Sequence, residues 1–295
     1  MSNEDALQQA RAQLKELLAA AKTGAIIPVR LPDQIKTIDD LLAEAEEAQT
    51  ASQQSADVPA DIDEVMKENA TFTSVAVHEL RTPMTSIRGY SDMLINPAMG
   101  ELTDMQQQFL DTIRTNAKRM EKLLADVSYT NKIRANTLQI GSKMDMFKNI
   151  ALRAEKDSRP IAEELYRQLE FDIPDGLPLL NTDGELLALA LVKLIENGLR
   201  YSPEESGKVT VRGAAEDNTL VITVEDNGIG MTPEEIVQLG TLYFRSDSDV
   251  VREYKGSGLG IPIAYGLVKL LDGTITVESQ PDQGTTFTIK IAGMS

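Results

Sequence analysis

From about Ile62 the sequence settles into a long helical repeat in which Val77, Met84 and Ser91 alternate with Thr73, Leu80, Ile87 and Leu94, a heptad seam. A second helical run starts near Thr103 and carries Phe109, Ile113, Met120, Leu123, Leu124 and Val127. Between them, Asn96-Pro97-Ala98-Met99-Gly100 ends one helix and lets the chain reverse. An antiparallel helical hairpin follows. One hairpin with an apolar seam cannot bury both its faces alone, so two copies are expected to pair into a four-helix bundle, a homodimer.

The rest of the chain is organised around that hairpin. Residues 6–22 and 36–50 are rich in Ala, Leu, Gln and Glu at helical spacing and predict two further helices, broken by Pro28 and Pro32. Thr50 to Pro59 is a polar spacer. After a connector near Asn131 to Asp145, helices mix with alternating segments that predict strands at Gln168–Ile173, Lys208–Ala214, Thr219–Glu225, Thr274–Glu278 and Thr285–Ile291. The fold class is therefore α+β with a mostly antiparallel sheet. Three regions result: a helical and linker segment of unassigned role at 1–65, the hairpin at 66–135 and an α/β domain at 136–295.

Composition removes several classes of function. The 295 residues contain no cysteine and one histidine, so disulfides, thiol nucleophiles and a protein-built zinc site are not expected. The net charge of −17 would repel a phosphate backbone, which argues against nucleic acid as a partner. No stretch approaches the roughly 18 consecutive apolar residues of a membrane span. The N-terminal Met1-Ser2-Asn3-Glu4-Asp5 lacks a signal-peptide pattern, so a cytoplasmic location is expected.

The single histidine, His78, lies on the first hairpin helix. Positions 78, 82, 85 and 89 share one face and are His, Thr, Thr and Gly, so the imidazole should point outward beside the seam. Pro83 cannot donate to the carbonyl of Glu79, and a bend just past the histidine is expected. Glu79 can accept from Nδ1–H, which leaves the Nε2 lone pair free as a nucleophile. The run His78-Glu-Leu-Arg-Thr-Pro-Met-Thr-Ser-Ile-Arg-Gly-Tyr90 resembles the phosphoacceptor box of sensor histidine kinases. That resemblance implies that His78 takes the phosphoryl group, that Glu79 is its acid/base partner, and that Thr82 positions water for dephosphorylating the partner protein.

Four later segments resemble the ATP-binding boxes shared by histidine kinases, type II topoisomerases and mismatch-repair ATPases, and imply an α/β sandwich ATP-binding domain. In Leu191-Val-Lys-Leu-Ile-Glu-Asn-Gly-Leu-Arg-Tyr-Ser-Pro203, on a helix beginning near Gly184, Asn197 matches the Mg²⁺ ligand. Arg200 falls at the phosphate-binding position and Tyr201 at the aromatic near the nucleoside. In Val224-Glu-Asp-Asn-Gly-Ile-Gly-Met231, Asp226 can accept from the adenine amino group while Gly228 and Gly230 let the backbone approach the ring. On its own this segment reads equally as a turn after a strand. Gly256-Ser-Gly258-Leu259-Gly260 opens a helix where free N–H groups favour phosphate. Gly284-Thr285-Thr-Phe287 matches the final strand, with Thr285 beside the adenine network.

Between the second and third boxes, Gly240 to Lys255 is polar and irregular and reads as a lid over the nucleotide. Tyr243-Phe244-Arg245 resembles its anchor, which places Arg245 to stabilise charge on the γ-phosphate and Lys255 as a weaker candidate. Lys193 departs from the family, where Asn or His is common and hydrolysing relatives place a general-base Glu. A lysine does not serve as that base unless its pKa is strongly lowered, so Lys193 is expected to pair with a phosphate or to lie in solvent. The resemblance implies ATP and Mg²⁺ as cofactors, autophosphorylation of His78, and transfer to an aspartate of a response-regulator receiver domain. Two alternatives remain: an ATPase of the same fold, and a degenerate kinase acting as a signalling scaffold.

Overall fold

The computed structural model describes residues 62–248, 251–252, 254 and 256–294, with side chains from Ala70 onward. The helices expected at 6–22 and 36–50, and Lys255, lie outside the described residues. Two units divide the chain, Met1–Glu68 and Asn69–Ser295, and the side-chain packing described belongs to the second.

Helix α1 (Ile62–Ile95) runs as one segment through Pro83. The reversal follows at Asn96, whose Oδ1 accepts from the Ala98 N–H at 3.0 Å over a single 3₁₀ turn, Pro97–Met99. Gly100 leaves that turn at φ 114°, a conformation that side-chain-bearing residues avoid. Thr103 then starts α2 (Asp104–Arg134) with a capping box: its hydroxyl accepts from Gln106 N–H while the Gln106 side chain accepts from Thr103 N–H at 2.9 Å. Val77, Met84 and Ser91, seven apart, are the buried stripe of α1, and Ala117 is buried on α2. Arg88 pairs with Glu121 at 2.6 Å, and Asn131 donates to the Ala70 carbonyl at 2.5 Å, which fixes the register of the hairpin.

The expected strands all form. A five-stranded sheet has the order β2-β4-β5-β7-β6, from β2 (Gln168–Asp172), β4 (Lys208–Glu216), β5 (Thr219–Asp226), β6 (Thr274–Ser279) and β7 (Thr285–Ala292). Only the β2–β4 pair is parallel. Sequence reasoning missed a two-stranded antiparallel sheet of β1 (Lys143–Met146) and β3 (Leu179–Thr182), because four-residue strands are too short for a readable alternation.

Helices α3 (Phe147–Glu164), α4 (Gly184–Tyr201) and α6 (Gly260–Leu270) pack on the sheet as the second layer; a short α5 (Pro233–Gln238) lies between β5 and α6. Asp183 caps α4, accepting from the N–H groups of Glu185 and Leu186. Helix α4 is apolar nearly all round, with Leu187, Leu191, Leu194, Ile195 and Leu199 fully buried. Such a helix must be surrounded, and here the sheet residues Val209, Val211, Ile222 and Phe287 lie in the same core as Leu259, Ile263 and Leu267 around α6. Strand β5 ends at Asp226, beside the C-terminal end of α4. No described helix is long and apolar enough to cross a membrane.

Candidate active site

At the end of β5, Asp226 turns its carboxylate under the α4 terminus. One oxygen, Oδ1, accepts the N–H groups of Gly228 at 2.9 Å and Thr285 at 3.2 Å. The second oxygen has no hydrogen-bond partner among the described residues. Burial pushes this carboxyl from its ordinary 3.8 up to about 6, against the two backbone N–H groups, which favour the charged form. A half-satisfied, desolvated carboxylate is an acceptor waiting for a donor, and an adenine amino group supplies one.

Close approach of the backbone shapes this floor. Gly230 has φ 63°, and a Cβ there would fall 1.8 Å from the Gln280 carbonyl oxygen. Thr285 is buried, and its hydroxyl lies 2.9 Å from that of Ser279, a neighbour the sequence did not single out. Asn197, Arg200 and Tyr201, on the last turns of α4, line the same cleft of about 1250 Å³ as Asp226 and Thr285. The Asn197 amide makes no hydrogen bond among the described residues, so its oxygen is free to serve a hard cation. These residues contain no cluster of three or more His, Cys, Asp or Glu able to hold a metal ion by themselves. The donor set therefore fits a Mg²⁺ shared with phosphates rather than a closed protein site.

Gly256, Gly258 and Gly260 line the cleft at the start of α6, and Leu259 between them is buried in the core as an anchor. Helix α6 has no side-chain cap, which leaves its first N–H groups available to an anion. Gly258 has φ 70°, and a Cβ would meet the Tyr243 backbone at 2.6 Å, so the Tyr243-Phe244 backbone packs directly against this turn. Arg245 is engaged within the lid itself: its guanidinium donates to the carbonyls of Val251, of Tyr254 at 2.5 Å and of Gly256 at 3.2 Å. Tyr254 meets Tyr201 edge to face at 6.0 Å. Its hydroxyl also lies 3.4 Å from buried Arg167, which donates to the Ser202 and Glu204 carbonyls. Arg167 carried no sequence signal, since it belongs to no box.

His78 lies apart from this cleft. Its side chain is 76% exposed, on the polar face with Thr82 and Thr85, and none of His78, Glu79 and Thr82 lines the cleft. Nδ1 is 3.6 Å from Glu79 Oε1, just beyond hydrogen-bond length.

Lys193 does not lie in solvent. Its ammonium is buried and bonds Asp126 of α2 at 2.5 Å, with side chains 7% and 8% exposed. One turn on, Lys122 of α2 pairs with Glu196 of α4. Spacings of four on α2 and three on α4 hold this signal in the sequence, but it is legible only once the two helices are known to meet.

Comparison with known proteins agrees with this arrangement. Residues 68–136 match the family model of the His Kinase A (phospho-acceptor) domain, and residues 182–293 match that of the histidine kinase-, DNA gyrase B- and HSP90-like ATPases. The chain is 27% identical over 280 residues to the circadian input-output histidine kinase CikA of Synechococcus elongatus, covering 94% of this chain and 36% of that protein. It is 30% identical over 235 residues to the aerobic respiration control sensor protein ArcB of Escherichia coli, covering 78% and 29%. The chain thus spans about a third of the length of these curated relatives. In fold it is similar to full-length ShkA in complex with AMPPNP, with TM-score 0.63, 22% identity, and coverage of 76% of this chain and 46% of that one. The Acinetobacter baumannii histidine kinase AdeS gives TM-score 0.51 at 22% identity, covering 74% and 98%. With a phospho-acceptor hairpin and an ATPase domain of this type in sequence, the chain belongs to the sensor histidine kinase family.

Proposed function

We propose that the chain is the kinase portion of a two-component sensor, with the hairpin at 66–135 and the catalytic domain at 136–295. ATP binds with its adenine amino group on Asp226 and its phosphates toward Asn197, Arg200 and the start of α6. Mg²⁺ held through Asn197 would supply charge neutralisation on the phosphates. The His78 Nε2 lone pair attacks the γ-phosphorus; the bond from phosphorus to the bridging oxygen breaks, and ADP leaves with the electron pair. Glu79 takes the Nδ1 proton after a small rotamer change closes the 3.6 Å gap. The phosphoryl group then passes to an aspartate carboxylate of a response-regulator receiver domain, and Thr82, exposed one helical turn beyond His78, positions a water that hydrolyses that aspartyl phosphate to carboxylate and inorganic phosphate. Arg245 reaches the γ-phosphate only by exchanging its three carbonyl partners, which ties its chemistry to lid movement.

The observation that carries this reading is the pairing, in one chain, of an exposed His78-Glu79 nucleophile with a separate cleft floored by a half-satisfied Asp226. At the position where hydrolysing relatives place a general-base Glu, this chain has Lys193, its ammonium engaged by Asp126, which disfavours a simple ATPase. A homodimer is part of the proposal: Phe109, Ile113 and Met120 stay exposed on α2 while its inner face is covered. Since ATP and receiver domains occur in the cytoplasm, we place the chain there. The full chain incubated with γ-labelled ATP should acquire acid-labile, alkali-stable label that His78→Gln abolishes. Label persisting in that variant defeats the assignment.

A further inference from the structure

The contact between α2 and α4 is a ladder whose rungs step in opposite sequence directions. Asp126 meets Lys193, and Lys122 meets Glu196. Continuing the pattern by one turn takes α4 to Arg200 and α2 to Lys118 and Arg119, and all three line the nucleotide cleft. At this rung the complementarity fails. Only cations stand at this rung, and among the described residues Lys118, Arg119 and Arg200 make no ion pair. The carboxylates Asp157 and Glu164 of α3 also line the cleft, and among the described residues they form no ion pair with either α2 residue.

A cluster of like charges in a cleft costs energy until an anion enters, and focuses the field on anions that do. The adjoining start of α6 adds uncapped N–H groups on the same side. We propose that Lys118 and Arg119, on the phospho-acceptor hairpin, form part of the nucleotide site. They hold the β- and γ-phosphates from across the cleft while the hairpin and catalytic domain are docked. This rests on the reading that the cleft binds ATP. The triphosphate then acts as the third rung, and it strengthens the docked arrangement in which His78 lies outside the cleft. The two residues thus select triphosphate over monophosphate and grip the ground state, and they leave the cleft when His78 is served.

The test is nucleotide affinity of the full chain for ATP and AMP, by calorimetry with Mg²⁺ present. Lys118→Gln/Arg119→Gln should weaken ATP about tenfold while AMP changes less than about twofold, and Lys118→Arg/Arg119→Lys should restore ATP affinity. Asp126→Ala, which opens the ladder, should cost the same ATP-over-AMP preference, with no further loss when the Gln pair is added. Equal weakening of ATP and AMP would assign the pair a structural role and overturn the proposal. An unchanged preference in either variant would also overturn it, while the ATP site itself stands. Absence of ATP binding by the unmodified chain would instead sink the functional reading on which the proposal rests.

Discussion

Asp226 sits at a position that costs the folded protein stability, and in the proposed function it selects the base. Its folded pKa of about 6 lies above the ordinary 3.8, so the native state holds this proton more tightly than the unfolded chain does. The group's contribution therefore favours folding most below about pH 4, and that advantage is lost as the pH rises to about 6. The full penalty at neutral pH is about 3 kcal/mol. Asp226→Asn removes the charge but keeps an oxygen for the Gly228 and Thr285 N–H groups. It should raise the thermal midpoint at pH 7, and the gain should vanish near pH 4. The same substitution points an amide N–H₂ at the adenine amino group, and a donor facing a donor should cost about a hundredfold in ATP affinity. In the unmodified protein, ATP affinity should fall as the pH drops through about 6, because the protonated carboxyl presents a donor there. Thermal melts and titration calorimetry across pH 4–8 check both halves; a variant with unchanged ATP affinity would remove Asp226 from base recognition. The residue type and its glycine neighbours were legible in Val224-Glu-Asp-Asn-Gly-Ile-Gly-Met231. Which oxygen is used and which left free depends on Thr285, 59 positions away, and needed the fold.

The elements show where sequence reasoning reaches and where it stops. Helix α4 could be placed from Gly184, because Asp183 caps it and its apolar content is continuous. The hairpin reversal at Asn96 to Gly100 was equally plain, since Pro97 and the positive-φ Gly100 each have one reading. The solvent-facing reading of Lys193 fails, because its burial depends on a partner from another helix, and only the approach of α2 supplies Asp126. Burying both charges costs desolvation that the pairing offsets, whereas removing one partner leaves the other stranded. Lys193→Ala should therefore destabilise the docked unit by about 3–5 kcal/mol. Lys193→Met combined with Asp126→Leu should recover most of that loss, since the apolar pair needs no compensation. Chemical denaturation of the two variants distinguishes the cases: if the single substitution costs less than about 1 kcal/mol, the pair contributes nothing beyond a surface contact.

At the scale of the whole molecule, the hairpin solves half of its burial problem within one chain. Val77, Met84 and Ser91 turn inward, while Ile87, Leu94, Phe109 and Ile113 stay exposed at 41%, 46%, 60% and 44%. Exposed apolar residues recurring along both helices are what a monomer rarely leaves uncovered when they adjoin. A second hairpin laid against them would bury them and complete four helices, each His78 remaining on the polar face beside the new seam. The ATP cleft lies on the other side of α2, where Lys118, Lys122 and Asp126 face the catalytic domain. The proposed dimerisation and nucleotide binding would thus use different faces of one helix and should be separable. Phe109→Glu/Ile113→Glu places two carboxylates per chain in the proposed seam, where four would converge without partners. Its dimer dissociation constant should rise at least about a hundredfold, because each stranded charge costs several kcal/mol. Sedimentation equilibrium should then report a monomer that still binds ATP with unchanged affinity. A variant that remains dimeric would move the interface elsewhere, and one that loses ATP binding together with dimerisation would show that the two faces of α2 are coupled.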